Sequence, residues 1–494
     1  MKLTELLAGP IALAEDVEIA GLALDSREVA PGDAFIALSG AQQHGLRHAA
    51  EAVERGAAII LYDPAGGGTE LAAGLNAAPA LAVENLDRRL GDLAAHFYGG
   101  PSSAMNVFGI TGTNGKTSCS QFLSQLVPAC GIIGTLGWGE WGRLNKTLNT
   151  TPDALAVQRM LGQLRAQGKR SVAMEVSSHG LEQGRVNGVR FLAAVYTNIS
   201  RDNLDYHGTM EAYVAAKLIL LRQPGLVFAV VNLDDDYSAQ ILAATPDNVR
   251  VWGHSRQGKA TGRGESLRAE NIRHETDGIG FDVCWREHRV AVQTPLFGDF
   301  NIDNCLSVLA VLLAIGEPID KAAGKLQTLI PVPGRMERFG GDQQPLVFVD
   351  YAHTPDALVK VLASVRRHCR QDLWVVFGCG GNRDRGKRAE MGAGASAWAD
   401  HIIVTDDNPR HENGQDIVND ILAGCRAERV RVIRDRKQAI EAAIAEAGAN
   451  DWIVIAGKGH EDYQEIAGVR YLFSDAEAVW RALELRKNGG HAVE

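Results

Sequence analysis

A chain of 494 residues exceeds what one ordinary hydrophobic core organises, and its length predicts about three domains. With 46% apolar and 22% charged residues it is a globular chain, which excludes a disordered or membrane-embedded one. A net charge of −10 with no long basic block excludes a partner held by its phosphate backbone, so no nucleic acid is expected and any anionic substrate needs local cations. The seven cysteines are scattered without C-x-x-C spacing, as expected of reduced thiols used as small core residues. Glu5 interrupts the short apolar run at the N-terminus, and no stretch reaches the roughly 18 apolar residues of a membrane span. The expectation is a cytoplasmic protein without membrane insertion.

In chain order, residues 1–92 carry short apolar runs (Ala34–Leu38, Ala57–Leu61, Ala80–Val83) between Gly- and Asp-containing turns, the pattern of a small α/β domain. Residues 93–330 open with the apolar strand Asn106–Ile110 running into a glycine-rich loop. Buried-type strands Ser171–Glu175, Ala193–Asn198 and Leu226–Leu233 then alternate with helical stretches, which predicts a mainly parallel sheet with helices on both faces. The connection Ile330-Pro-Val-Pro-Gly334 leads into residues 331–494. Strands are expected there at Leu346–Val349, Leu373–Phe377, His401–Thr405, Val430–Ile433 and Trp452–Ile455, as in a Rossmann-like doubly wound domain. Several of these strands end in polar clusters at Asp350–His353, Gly378–Arg385, Asp406–Arg410 and Gly457–Glu461. Open parallel sheets bind ligands at the carboxyl ends of their strands, so the clusters predict a site.

The run Gly109-Ile-Thr-Gly-Thr-Asn-Gly-Lys-Thr117 lies between a strand and a helix, with glycines at 109, 112 and 115. It misses the strict phosphate-loop pattern because Ile110 occupies the first glycine position. Its backbone amides and the helix N-terminus suit phosphate oxygens, Lys116 suits the β/γ-phosphates, and the Thr117 hydroxyl suits Mg²⁺. ATP is the expected co-substrate and Mg²⁺ the expected cofactor.

The loop also resembles that of the Mur ligases, and the likeness runs the length of the chain. In order come Leu24-Asp-Ser-Arg27, the loop itself, Asn149-Thr-Thr-Pro152, Met174-Glu-Val-Ser-Ser-His-Gly180, Asp205-Tyr-His-Gly208, Ala215-Ala-Lys217 and Gly298-Asp-Phe-Asn301. Gly334-Arg-Met-Glu337, Asp350-Tyr-Ala-His353, Asp407-Asn-Pro-Arg410 and Gly457-Lys-Gly-His-Glu461 follow. The resemblance implies an amide ligase of peptidoglycan-precursor synthesis, working through an acyl phosphate; a monomer is the expectation for its assembly. Asp407–Arg410 is most similar to the branch that adds meso-2,6-diaminopimelate to UDP-N-acetylmuramoyl-L-alanyl-D-glutamate. That motif and Asn149–Pro152 argue against a lysine-adding or folylpolyglutamate-type ligase, and the two additional domains argue against a nucleotide switch.

Carried over residue by residue, the resemblance implies ATP contacts at Gly109, Gly112, Thr113, Asn114, Gly115, Lys116, Thr117 and Ser118, with Asn301 and Asn304 at the base. Arg335 and Asp350 join Lys116 and Lys217 as catalytic residues. Metal ligands are Thr117, Glu175 and Lys217, the last as a carbamate. Ser26, Asn149, Thr150, Thr151, Ser177, Gln183 and Arg185 would hold the UDP-muramoyl dipeptide. Arg383, Asp407, Asn408, Pro409, Arg410, Gly457 and Glu461 would hold diaminopimelate, with arginines for carboxylates and Glu461 for an ammonium. One position departs from the family: relatives usually read Arg-Asp-His-Leu-Asp where this chain has Arg201-Asp-Asn-Leu-Asp205. Asn203 thus replaces a histidine implicated in a second metal site. Its amide oxygen is a hard donor suited to Mg²⁺, and His207 is not assigned as a ligand.

Overall fold

Strands apolar at every position have no face to turn to water and must be covered on both sides. In the computed structural model, which describes residues 1–8, 15–40, 43–75 and 79–489, the strands Ser171–Glu175, Phe228–Asn232, Leu373–Phe377 and Trp452–Ala456 are buried throughout. The first two lie in one sheet and the last two in another, each wrapped by helices. Along the chain come three larger sheets, with the two-stranded pair Tyr463–Ile466 and Val469–Leu472 after them.

The first has four parallel strands, Gly21–Ala23, Asp33–Ala37, Ile59–Tyr62 and Ala80–Ala82. The second has eleven. Across it run His288–Thr294, Gly278–Trp285, Glu265–Glu275, Arg250–Ser255, Phe228–Asn232, Ala193–Tyr196, Asn106–Thr111, Ser171–Glu175, Cys130–Gly134, Gly137–Glu140 and Arg143–Asn145. Its centre is parallel, and both edges are antiparallel. These edges extend the mainly parallel sheet expected from sequence. A half-exposed antiparallel edge alternates polar and apolar residues, as Glu265–Glu275 does, and lacks the continuous apolar run that marks a buried strand. The third sheet places the antiparallel strand Glu337–Gly340 beside parallel strands Leu346–Asp350, Trp452–Ala456, Leu373–Phe377, His401–Val404 and Val430–Val432.

Alternation along the strands fills a core on each face. Phe108 and Ile110 enter one with the helices Lys116–Leu126 and Asp299–Ala314, while Val107 enters the opposite one with Ala154–Ala166. From Asn106–Thr111 the chain runs to Cys130–Gly134 on one side, and from Ser171–Glu175 it goes to Ala193–Tyr196 on the other. The loop after Asn106–Thr111 therefore opens at the crevice where ligands bind such sheets. The second and third units are joined by Phe297, whose ring lies 5.1 Å from that of Phe348 in the third-unit core. Ser200–Asp356 at 3.2 Å, Lys146–Asp462 at 2.8 Å and the Arg367–Asp299 pair add polar contacts. Among the described residues no helix is long and apolar enough to cross a membrane.

Arg436 and Asp475 have no exposed side-chain surface and pair through two hydrogen bonds of 2.7 Å each. Arg436 also donates to the Ala456 carbonyl at 3.0 Å, tying two helices to the end of a central strand. Breaking such a pair strands a buried charge, at a cost of about 3–5 kcal/mol. Arg436→Met should lower the unfolding free energy by that amount in denaturant titrations, and a loss below about 1 kcal/mol would contradict the role given to the pair.

Candidate active site

The phosphate loop takes its shape from two glycines. Gly112 and Gly115 have φ of +150° and +86°. A Cβ at Gly112 would stand 1.9 Å from Thr197 Oγ1, and one at Gly115 would stand 2.6 Å from Asn304 Oδ1. Gly109 answers a different need. It sits within the strand, where a Cβ would meet the Phe191 ring at 2.8 Å. Gly115 caps the helix Lys116–Leu126, and Lys116 Nζ donates to the carbonyls of Gly112 and Thr113 at 2.8 and 2.9 Å. Burial holds the Lys116 ammonium below the ordinary lysine value, with Glu175 and Asp202 opposing the shift.

Behind the loop, the Glu175 carboxylate is fully buried at the end of its strand. It accepts hydrogen bonds from Thr117 Oγ1 at 3.0 Å, Ser120 Oγ at 3.4 Å, Thr135 N at 3.0 Å and Thr135 Oγ1 at 2.9 Å. Among the described residues no ion pair reaches it. A buried carboxylate with hydroxyl donors and no paired cation fits a divalent metal.

Lys217 ends the helix Met210–Leu218 and is 1% exposed, where a helical lysine would by default face water. Its Nζ donates to the Gly112 carbonyl at 2.9 Å and lies 4.5 Å from the centre of the Tyr213 ring. Tyr213 in turn shares a 3.0 Å hydrogen bond with Thr113 Oγ1. Burial drives the Lys217 amine well below the ordinary lysine value, and Lys116 pushes the same way. That bias favours the neutral amine, the form that adds CO₂, and with the burial it fits a carbamate at Lys217.

From the third unit, Arg335 Nη2 reaches Thr117 Oγ1 at 3.4 Å, and its guanidinium lies 4.4 Å from the Tyr351 ring centre. Asp350 ends its strand and accepts the amides of Met336 and Ala352, both at 2.8 Å, which fixes the turn that carries Arg335. Burial pushes the Asp350 carboxyl up to about 6, while Arg335 and the two amides pull against it. Arg335 Nε and Asn114 Nδ2 are buried donors without an acceptor among the described residues, as a site for an anionic ligand requires.

The loop, Lys217, Arg335 and Asp350 line one cavity of about 970 Å³ between the second and third units. Thr113 to Ser118, Asn149, Thr150, Thr151, Ser177, Arg185, Lys217, Asn301, Asn304, Arg335, Asp350 and Arg383 face it. Asn301 and Asn304 sit on the helix Asp299–Ala314, and Asn304 Nδ2 donates to Asn301 Oδ1 at 2.9 Å. On the opposite wall, Thr151 bridges the Glu175 carbonyl and the Ser177 amide, each at 2.9 Å. Arg185 donates to the Thr151 carbonyl at 2.8 Å. Gln183, off the wall, holds Arg185 through its amide oxygen at 2.6 and 2.9 Å. Ser26 also lies apart, in the first unit, donating to Glu51 at 2.7 Å.

Glu175 and Gly109 do not line the cavity, nor do Asp407, Asn408, Pro409, Arg410, Gly457 and Glu461. Those third-unit residues form their own cluster. Arg410 Nη1 donates to the Gly381 carbonyl at 2.8 Å, and Gly381 leaves room for the Pro409 carbonyl. Gly457, at φ +119°, packs against the Asp407 carboxylate. Asn203 donates to Asp202 at 2.8 Å, and both line the cavity near Lys217. The His207 ring is held by Glu182 at 3.0 Å and Ser178 at 2.9 Å, away from that wall.

Three family models match the chain: Mur ligase family, catalytic domain, over residues 18–98; Mur ligase middle domain over 110–312; and Mur ligase, glutamate ligase domain, over 334–459. A UDP-N-acetylmuramoyl-L-alanyl-D-glutamate–2,6-diaminopimelate ligase of Xylella fastidiosa is 49% identical over 98% of this chain and 97% of its own length. One from Alkalilimnicola ehrlichii is 46% identical over 95% and 96%. The chain belongs to the Mur ligase family. A solved structure of a ligase of the same name superposes with a TM-score of 0.71 at 35% identity, covering 99% of both chains. The MurF ligase of Thermotoga maritima in complex with ADP shares the Mur ligase fold at 18% identity, with a TM-score of 0.67 over 96% of this chain and 99% of that one.

Within this family fold, the structure adds residues that the sequence reading passed over. Lys458 lies inside the quoted Gly457–Glu461 motif yet is fully buried, donating to Asn408 Oδ1 and Glu461 Oε2 at 3.0 Å each. Asp202 and Tyr213 border Lys217. Lys458–Glu461 and Tyr213–Lys217 are only three and four residues apart, whereas Asn408 reaches Lys458 from fifty residues earlier in the chain.

Asp350 is ionised above about pH 6 and neutral below it, so its counter-charge to Arg335 fades as the pH falls. The pH profile of kcat/KM for ATP should therefore carry an acid limb near pH 6 that Asp350→Asn removes. An unaltered limb in that variant would assign it to another group.

Proposed function

We propose that the protein joins meso-2,6-diaminopimelate to UDP-N-acetylmuramoyl-L-alanyl-D-glutamate, using ATP and releasing ADP and phosphate. The observation that carries this reading is the single cavity with the phosphate loop on one wall and Thr150, Thr151 and Arg185 on another. That arrangement supports phosphoryl transfer from a nucleotide to a carboxylate held across the gap. The names of relatives 46–49% identical over nearly the whole chain support the choice of substrates. The enzyme is taken to act as a cytoplasmic monomer.

In the first step a carboxylate oxygen of the dipeptide attacks the γ-phosphorus, and the bond to the β-phosphate oxygen breaks to release ADP. In the second, the diaminopimelate amine attacks the acyl carbon, loses a proton and expels phosphate. Two anions must meet, so cations decide the rate. Lys116 neutralises the β/γ-phosphates, and Arg335 presents a planar fork to the transferring group. Thr117, Glu175 and the Lys217 carbamate would hold Mg²⁺, which when bound offsets phosphate charge. Asn301 and Asn304 offer amides to the adenine, and Thr113, Asn114 and Ser118 offer donors to phosphate. Ser26, Asn149, Ser177 and Gln183 complete the nucleotide-sugar site. Arg383 and Arg410 take diaminopimelate carboxylates and Glu461 its distal ammonium, on a frame built by Asp407, Asn408, Pro409 and Gly457.

ADP release in the presence of the dipeptide substrate should follow addition of meso-diaminopimelate and not of lysine; equal turnover with lysine would defeat the specificity assigned. Lys116→Ala should abolish turnover. Arg410→Ala should raise KM for the amino acid by about tenfold to a hundredfold, the range for a hydrogen-bonded charge, with a smaller change for ATP. Equal losses for both substrates would remove Arg410 from the amine site. Labelled bicarbonate should give a carbamate carbon signal that Lys217→Met eliminates, and a signal unaffected by that change would count against the modification.

A further inference from the structure

Four charged side chains meet beside the strand Tyr463–Ile466. Lys458 Nζ lies 3.0 Å from Glu461 Oε2, and Arg410 Nε lies 3.7 Å from Glu465 Oε2. Asn408 knits the two pairs together. Its Oδ1 accepts from Lys458 Nζ at 3.0 Å and from the Glu465 amide at 2.9 Å, while its Nδ2 donates to Glu461 at 3.0 Å. The Arg410 amide donates to the Glu465 carbonyl at 3.0 Å, so the arginine loop and the strand share one register. Glu465 and Tyr463 are two residues apart and share a strand face, and Lys458 Nζ lies 5.4 Å from the Tyr463 ring centre.

These four groups are two positive and two negative; Arg470, opposite Glu465 in the strand pair, is exposed with its guanidinium 4.4 Å from the Tyr463 ring centre. Arg410, Lys458, Glu461 and Glu465 are each at most 20% exposed in their side chains, so charges added here are weakly screened and an imbalance is costly. A ligand terminus bearing one carboxylate and one ammonium keeps the balance. A terminus with only the ammonium, or only the carboxylate, breaks it.

We propose that Glu465 is a specificity-determining residue, the counter-charge to Arg410 that restricts the site to an amino acid whose far end is a zwitterion. The proposal rests on the reading that Arg410 and Glu461 receive that far end. Without ligand, Glu465 engages Arg410. With ligand, the incoming carboxylate takes over Arg410, and the incoming ammonium lies between Glu461 and Glu465. A carboxylate arriving alone would face Glu465 with nothing to offset it.

The test compares kcat/KM for meso-diaminopimelate with that for 2-aminopimelate, which keeps the carbon chain and both carboxylates and lacks the far amine. Glu465→Gln removes the charge at nearly constant shape, and the ratio between the two substrates should fall by about tenfold or more while KM for ATP stays unchanged. Glu465→Asp keeps the charge and should retain the wild-type discrimination. If Glu465→Gln fails to fold, Glu465→Ser at this half-buried edge carries the same comparison. A fall in the ratio smaller than about fivefold overturns the proposal while leaving the functional reading intact. Failure of the wild-type enzyme to form amide with meso-diaminopimelate overturns both.

Discussion

The buried carboxylate of Glu175 organises the centre of the molecule. A carboxylate taken wholly out of water must find donors or a cation. Glu175 takes the hydroxyls of Thr117, Ser120 and Thr135 and the Thr135 amide. Those contacts lock the first turn of the phosphate-loop helix to its own strand end and to the turn after Cys130–Gly134. Thr117 also meets Arg335 of the third unit, so the same hydroxyl joins the loop to the residue that closes over it. The fit of a divalent cation, the position of the loop and the approach of the third unit all follow from satisfying one acid.

Charge is handled differently at each end of the cavity. Around the phosphate loop, burial lowers both Lys116 and Lys217, Arg335 pushes Lys116 the same way and Lys116 pushes Lys217, which favours the uncharged Lys217 amine that adds CO₂. In the third unit, Arg388 and Arg436 are buried and ion-paired, with Glu412 and Asp420 in one case and Asp475 in the other. These two arginines are part of the frame. They leave Arg383 exposed on the cavity wall and Arg410 paired, among the described residues, with the Gly381 carbonyl and the Glu465 carboxylate.

Much of this was legible in the sequence, for local reasons. Continuous apolar runs place Ser171–Glu175 and Leu373–Phe377 without error, because a strand covered on both faces leaves no other pattern. The polar clusters after those strands fall at the carboxyl edge of their sheets. The motif order carried the family, and Asn301 and Asn304 share a helix as their spacing implied. What escaped was non-local. Nothing in Ala215-Ala-Lys217 tells that the lysine is buried under the loop, since Gly112, which covers it, reaches it through the tertiary fold, while Tyr213 lies one turn back on the same helix. Lys458 and Glu465 likewise acquire meaning only from Asn408, some fifty residues earlier in the chain. The antiparallel arm Glu265–Thr294 escaped because its strands alternate and show one face to water.

The central claim is that ATP activates a carboxylate of the nucleotide-sugar dipeptide, and the fate of an oxygen atom tests it most directly. The dipeptide substrate carrying ¹⁸O in its reacting carboxylate would be converted with ATP and meso-diaminopimelate, and the released phosphate analysed by mass. Passage through an acyl phosphate requires that each phosphate released carry one oxygen from that carboxylate. Phosphate free of label, alongside amide product formed at the same rate, would contradict the account.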